Sequence, residues 1–202
     1  RRGWKETLAK RERPLLVIGG YSESENGDHQ EFVSSLERYD PAANAWEAVA
    51  PMAAERDHHA VAALDGKMYA VGGFNTDFLS SVERYDPAAN AWEAVAPMEE
   101  ARNSHAVAVL DGKLYAVGGY DGGCLSSVER YDPATNAWEE VAPMAAARDC
   151  HVMAVLDGKL YAVGGFNHGQ ISSSVERYDP ATNAWEEVAP MAEVRCAHAT
   201  AV

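Results

Sequence analysis

From residue 105 onward, apolar and polar positions alternate in short runs broken at regular turns. HAVAVLDGKLYAVGG (105–119) holds two apolar runs that meet at Asp111-Gly112, and an Asp-Gly pair between such runs predicts two strands joined by a tight hairpin. After a variable loop, LSSVERYD (125–132) has the β-branched and aromatic content of a third strand, and Asp132-Pro133 ends it with turn chemistry. NAWEEVAPM (136–144) supplies a fourth strand. No segment sustains a helical period, so the predicted fold class is all-β.

The same string returns four times. YDP begins at Tyr39, Tyr85, Tyr131 and Tyr178, steps of 46, 46 and 47 residues, and Trp46, Trp92, Trp138 and Trp185 keep that step. Glycine pairs stand at 19–20, 72–73, 118–119 and 164–165, the first step being longer because the loop after Tyr21 carries extra residues. Four short antiparallel strands per repeat of this length predict the blades of a β-propeller rather than a solenoid of helices.

The glycine pair, the spaced Tyr and Trp, and the string ERYDP…N.W…APM…R..H resemble the kelch family over residues 14–202. The closest flavour is the kelch domain of BTB-BACK-kelch proteins, and this resemblance implies a substrate-recognition module of a cullin-3 ubiquitin ligase adaptor. The basic lead-in 1–13 is similar to the linker that precedes such domains. Phase assigns blade 1 to 14–52 plus 195–202, with blades 2, 3 and 4 at 53–98, 99–144 and 145–194. Residues 14–52 lack a first strand and 195–202 supply one, so the C-terminal strand is expected to complete blade 1 and close a four-bladed ring, removing exposed edges. Four blades is the low end for propellers. The alternative is an excerpt of a longer ring that pairs between chains; a monomer is favoured. DPAANAWEAVAPM is repeated verbatim at 40–52 and 86–98, and VERYDPATNAWEEVAPM at 128–144 and 175–191. Copying that close points to an idealised, consensus-type protein, with recent tandem duplication as the other route.

A formal charge of -14 argues against phosphate-dependent nucleic-acid binding and against an anionic membrane surface, and suits a basic partner. No apolar run approaches a membrane span, and the lead-in lacks the apolar core of a secretory signal. Cys124, Cys150 and Cys196 form an odd set without CxxC spacing, which favours a reducing, cytoplasmic setting over a secreted protein with one bridge.

Positions constant across the repeats read as scaffold. The repeated Tyr and Trp fill the space between sheets. Arg38, Arg84, Arg130 and Arg177, with Arg56, Arg102, Arg148 and Arg195, are expected to pair within the molecule and cap its backbone. The variable loops are the candidate binding face. The resemblance implies that those after each glycine pair converge with the short stretches after Arg56, Arg102, Arg148 and Arg195 to hold a protein or peptide. Tyr21, Phe74, Tyr120 and Phe166 then stand as aromatic anchors. Beside them lie Asp57, His58, Asn75, Thr76, Asn103, Ser104, Asp121, Asp149, Cys150, Asn167 and His168, and the acidic first loop adds Glu23 and Glu25. That loop has no Lys or Arg, which argues against recognition of an acidic peptide.

His59, His105, His151 and His198 share one repeat position, so a closed ring would set four imidazoles, common metal ligands, around its channel, although the resemblance implies that histidine stands here without metal. No metal or other cofactor is expected. Asp149, Cys150 and His151 are neighbours in sequence, but alternation along a strand sends neighbours to opposite faces. There is no P-loop and no dinucleotide fingerprint, so the chain is expected to be non-catalytic. Two functions stay open: a protein-interaction module, or an idealised scaffold with no evolved ligand.

Overall fold

The computed structural model describes residues 15–23 and 30–202. Glu25 and the lead-in 1–13 lie outside the described residues. Every described element is a strand, and none is a helix of the kind that could cross a membrane.

Blade 1 holds β1 (Leu15–Glu23), β2 (Gln30–Asp40) and β3 (Ala45–Val49). Blade 2 holds β4 (Ala60–Leu64), β5 (Lys67–Val71), β6 (Val82–Asp86) and β7 (Ala91–Val95). Blade 3 follows as β8 (Ala106–Leu110), β9 (Lys113–Val117), β10 (Val128–Asp132) and β11 (Ala137–Val141). Blade 4 has β12 (Val152–Leu156), β13 (Lys159–Val163), a short β14 (Phe166–Asn167) and β15 (Gln170–Ile171) in its loop, then β16 (Val175–Asp179) and β17 (Ala184–Val188). Blades 2, 3 and 4 are four-stranded antiparallel sheets taken in chain order.

Each hairpin between the first two strands turns on Asp-Gly with both residues at positive φ, 52° and 71° at Asp111 and Gly112, the mirror-type turn that matches strand twist. At the other end of the sheet, Asp132 Oδ1 accepts the Ala134 amide, and Asn136 at φ 50° brings the chain back into β11.

The apolar core is divided, and it lies between blades. One cluster joins Leu110, Tyr115, Val117 and Val128 of blade 3 to Leu160, Ala162 and Tyr178 of blade 4. A second joins Tyr69, Val71 and Val82 to Leu114, Ala116 and Tyr131 across blades 2 and 3, and a third joins Leu36 to Met68 and Tyr85 across blades 1 and 2. Polar bonds secure the same seams. The indoles of Trp92, Trp138 and Trp185 each donate at 2.8 Å to the carbonyl of Ala50, Ala96 or Ala142 in the preceding blade. In return, the amides of those alanines donate to Asn90, Asn136 and Asn183.

The expected closure is not found. The sheet of blade 1 has three strands, β1-β2-β3, and no strand is assigned within 195–202. The C-terminal segment lies instead along blade 4. Gly165 N donates to Arg195 O, Ala197 N to Cys150 O, and Thr200 Oγ1 to Met153 O. These bonds follow the pattern by which each first strand approaches the blade before it, as in Gly73 N to Arg102 O, so the segment seats as the start of a blade beyond the fourth.

Candidate functional site

The loops that carry the variable residues are set by two devices, a glycine pair and a buried arginine. Gly72 and Gly73 both have positive φ, 59° and 103°, which turns the chain out of β5. A Cβ on Gly72 would stand 2.5 Å from the Arg102 carbonyl of the next blade, and one on Gly73 2.8 Å from the Asp57 carbonyl of its own. The pair therefore lets two backbone segments close on each other, and repeats at Gly118-Gly119 and Gly164-Gly165.

Arg56, Arg102 and Arg148 are at most 1% exposed. Arg102 donates Nη1 to the Gly118 carbonyl at 2.7 Å and Nη2 to Glu129 at 2.8 Å, while the same Glu129 carboxylate accepts the amides of Glu99 and Glu100. Arg56 with Glu83, and Arg148 with Glu176, repeat this clasp. The buried charge is thus paired and hydrogen-bonded, as burial demands. The signal for the glutamate partner in the sequence is the Glu of ERYD, constant in all four repeats. Arg84, Arg130 and Arg177 pair across strands with Glu93, Glu139 and Glu186.

The clasp brings the two loop types together. Asp57 and Phe74 exchange backbone hydrogen bonds at 2.8 Å, and Asn103 with Tyr120 and Asp149 with Phe166 do likewise. The next residues form a ladder across the blades: Ser104 N donates to His58 O, Cys150 N to Ser104 O and Ala197 N to Cys150 O, with all four residues at positive φ. His58, Ser104 and Cys150 thus stand in one file beside the Asp57, Asn103 and Asp149 file.

An aromatic ridge runs along the same face. Tyr21 packs edge-on against Phe32 (centroids 4.8 Å), Phe32 against Phe74 (5.9 Å), Phe74 against Phe78 (5.3 Å) and Phe78 against Tyr120 (5.8 Å). Three of the four anticipated anchors are brought to adjoining blades, with Phe166 beside Asp149 in blade 4. Phe32 and Phe78 were missed: they share one repeat position, four residues before Leu36 and Val82, where the other two repeats carry Cys124 and Ile171, and that variation hid the pair.

Several polar candidates serve the loops themselves. Asn75 Oδ1 accepts the amides of Thr76 and Asp77, and Asp121 Oδ1 accepts that of Gly123. Asp149, nearly buried, accepts Cys124 Sγ at 3.6 Å. Asn103 and Asn167 turn buried amide oxygens inward. Thr76, Asp77, Asp121, His58 and His168 are exposed. Glu23 ends β1 beside this face. The charge is one-sided: Asp57, Asp77, Asp121 and Asp149 lie in these loops and no Lys or Arg does, while Lys67 and Lys113 sit at the opposite strand ends, bonded to Asp86 and Asp132.

Among the described residues no three His, Cys, Asp or Glu side chains gather as a metal site, so the imidazole ring is not assembled. His105 instead lies over Gly72 of the preceding blade, and His151 over Gly118. Burial, then the neighbouring arginine, pushes His59 down to about 4 and His151 down to about 3, with His105 also well below the usual range. Cys150 has its thiol pushed up, first by burial and then by Asp149. A protonated thiol, a buried imidazole and a carboxylate turned to Cys124 do not make a nucleophile and base.

Repeated antiparallel blades, of which blades 2 to 4 each hold an internal Arg–Glu clasp and an indole bonded to the blade before, define a β-propeller-type repeat protein with one variable loop face. Four consecutive segments, 15–53, 55–99, 101–145 and 147–192, match the Kelch motif, and the chain belongs to the kelch-repeat family. It is 34% identical over 70 residues to Kelch-like protein 35 of Homo sapiens and of Mus musculus, a match covering 35% of this chain and 11% of those relatives. The fold is similar to that of the solved structure of YjhT, with a TM-score of 0.70 at 18% identity over 90% of this chain and 67% of the other.

Proposed function

We propose that this chain is a non-catalytic recognition module that holds an extended basic peptide segment of a partner protein across the loop face. Kelch repeats form protein-interaction domains, and the observation that carries the finer reading is the aromatic ridge from Tyr21 to Tyr120 running beside an exclusively acidic set of loop charges. Aromatic rings offer area at low entropic cost, and a Lys or Arg of the partner gains both a carboxylate and a ring face. Because Arg56, Arg102 and Arg148 are consumed by their clasps, they are not free to receive an acidic peptide.

The resemblance to kelch domains of cullin-3 adaptors extends this reading: the chain would act as the target-capturing half of such an adaptor, in the cytoplasm, with the ligase contact made elsewhere. A peptide array of basic, neutral and acidic sequences tests it. Saturable binding confined to basic peptides, weakened by added salt and by Asp77→Lys or Asp121→Lys, is expected. Binding confined to acidic peptides, or no saturable binding at all, would overturn it, the latter in favour of a scaffold without a ligand.

A further inference from the structure

Buried carboxylates in this molecule are matched by cations, with one exception. Glu83, Glu129 and Glu176, 3–4% exposed, each hold an arginine and two backbone amides. Asp149 is 9% exposed, yet among the described residues it forms no ion pair, and the side chain that donates to it is a thiol, Cys124 Sγ at 3.6 Å. Cys150, next in sequence, is no better a donor, its thiol raised by burial and then by this same carboxylate. Arg148 on the other side in sequence is taken up by Glu176. The counterpart Asp57, by contrast, has His58 Nε2 at 3.4 Å. A carboxylate withdrawn from water with only weak donors carries a desolvation cost that a cation arriving from outside would offset.

The aromatic ridge breaks at the same point. One repeat position supplies the ring that bridges each seam: Phe32 joins Tyr21 of its own blade to Phe74 of the next, and Phe78 joins Phe74 to Tyr120. In blade 3 that position is Cys124. It pairs with Tyr120 as Phe78 pairs with Phe74, and reaches forward to Asp149 of blade 4. No phenyl ring therefore bridges Tyr120 to Phe166, and among the described residues those two rings make no contact with each other. Both are half-buried, and Phe166 is fixed beside Asp149 by the two backbone hydrogen bonds they exchange, at 2.8 and 3.0 Å.

We propose that the seam between blades 3 and 4 is a socket for one lysine or arginine side chain of the partner, its stem between Tyr120 and Phe166 and its cation on the Asp149 carboxylate. The socket rests on the reading of the loop face as a seat for a basic segment, and narrows its charge-selective contact to one seam. Long cationic side chains lay their methylenes on apolar surface while the charged end seeks a carboxylate or a ring face, and this seam offers all three. The two earlier seams are bridged by Phe32 and Phe78 and receive no such side chain. A carboxylate kept for a partner rather than for the fold can be neutralised without loss of stability. Asp149→Asn should melt no lower than the unaltered chain, whereas Glu129→Gln, which takes the counter-charge from buried Arg102, should melt lower.

Cys124 is a reporter already in place. In the full chain carrying Cys150→Ser and Cys196→Ser, the cationic reagent aminoethyl methanethiosulfonate should label Cys124 at least about tenfold faster than the anionic sulfonatoethyl reagent, each rate taken relative to a small free thiol. Asp149→Asn should bring that ratio down to about one, and Asp111→Asn, in the hairpin at the far strand ends, should leave it unchanged. A ratio of about one in the presence of Asp149, a ratio indifferent to Asp149→Asn, or a melting temperature that falls in Asp149→Asn as it does in Glu129→Gln would each overturn the socket. A basic peptide selected on the array should bind Asp149→Asn at least about tenfold more weakly. Undiminished binding there would overturn the socket and leave the basic-segment reading standing. A labelling ratio that depends on Asp149, with no basic peptide bound, would uphold the socket as a cation site and overturn that reading instead.

Discussion

At the level of single residues, stability rests on a few positions where backbone or charge is held at close quarters. Gly72→Ala must place a Cβ 2.5 Å from the Arg102 carbonyl at a φ of +59°, so it should cost about 1–3 kcal/mol or more in urea unfolding. Gly123→Ala, in open space, should be near neutral. Likewise, Arg102→Ala leaves the buried Glu129 without its cation and should cost about 3–5 kcal/mol, whereas Glu93→Ala removes an exposed cross-strand pair and should cost less than about 1 kcal/mol. Similar losses for the two would contradict the clasp. The imidazoles set the pH response. A histidine held neutral in the folded state takes its proton more readily once unfolded, so stability is intact above about pH 6.5 and is lost as acid passes towards about 4 for His59 and about 3 for His151. Each contributes a slope of about 1.4 kcal/mol per pH unit inside that window. The urea midpoint should therefore fall between pH 7 and pH 4.5, and less steeply in His151→Asn; a flat profile would contradict it.

At the level of strands and loops, much was legible. The Asp-Gly hairpins, the YDP turns and the glycine pairs announce every strand from β4 to β17 apart from the two-residue β14 and β15, because each depends on local turn chemistry. That the loops after the glycine pairs meet the stretches after the arginines is implied by the resemblance to a repeat family; the pairing of Asp57, Asn103 and Asp149 with Phe74, Tyr120 and Phe166 is what the structure adds. The contacts of Phe32 with Phe74 and of Phe78 with Tyr120 were illegible for the opposite reason: a contact between loops of adjoining blades depends on how far each blade turns from the last, which no single repeat encodes. The same dependence explains the closure that failed. Phase alone put 195–202 on β1, but the segment follows the hydrogen-bond pattern of the blade it leaves, and a sequence carries no signal for the cumulative turn of four blades. Hydrogen exchange separates the strands accordingly. β5 and β9, flanked on both sides, should be protected, and the outward amides of β1, an edge strand among the described residues, should exchange faster. Equal protection of β1 and β9 would contradict that sheet order.

For the whole molecule, the same architecture separates two kinds of surface. The contacts between blades repeat and hold the molecule together, while the loop face differs from repeat to repeat and is left for recognition. Charge follows that division, with carboxylates on the loop face and the hairpin lysines bonded at the opposite strand ends. The central claim is that the partner lies on the aromatic ridge. Calorimetry bears on it most directly: the affinity of a basic peptide selected on the array, measured for the unaltered chain, for Phe78→Ala with Tyr120→Ala, and for Lys67→Glu with Lys113→Glu on the far side. Binding should weaken at least about tenfold, or roughly 1.4 kcal/mol, in the aromatic pair and stay unchanged in the lysine pair. Undiminished binding by the aromatic variant, with its melting temperature intact, would place recognition elsewhere on the molecule.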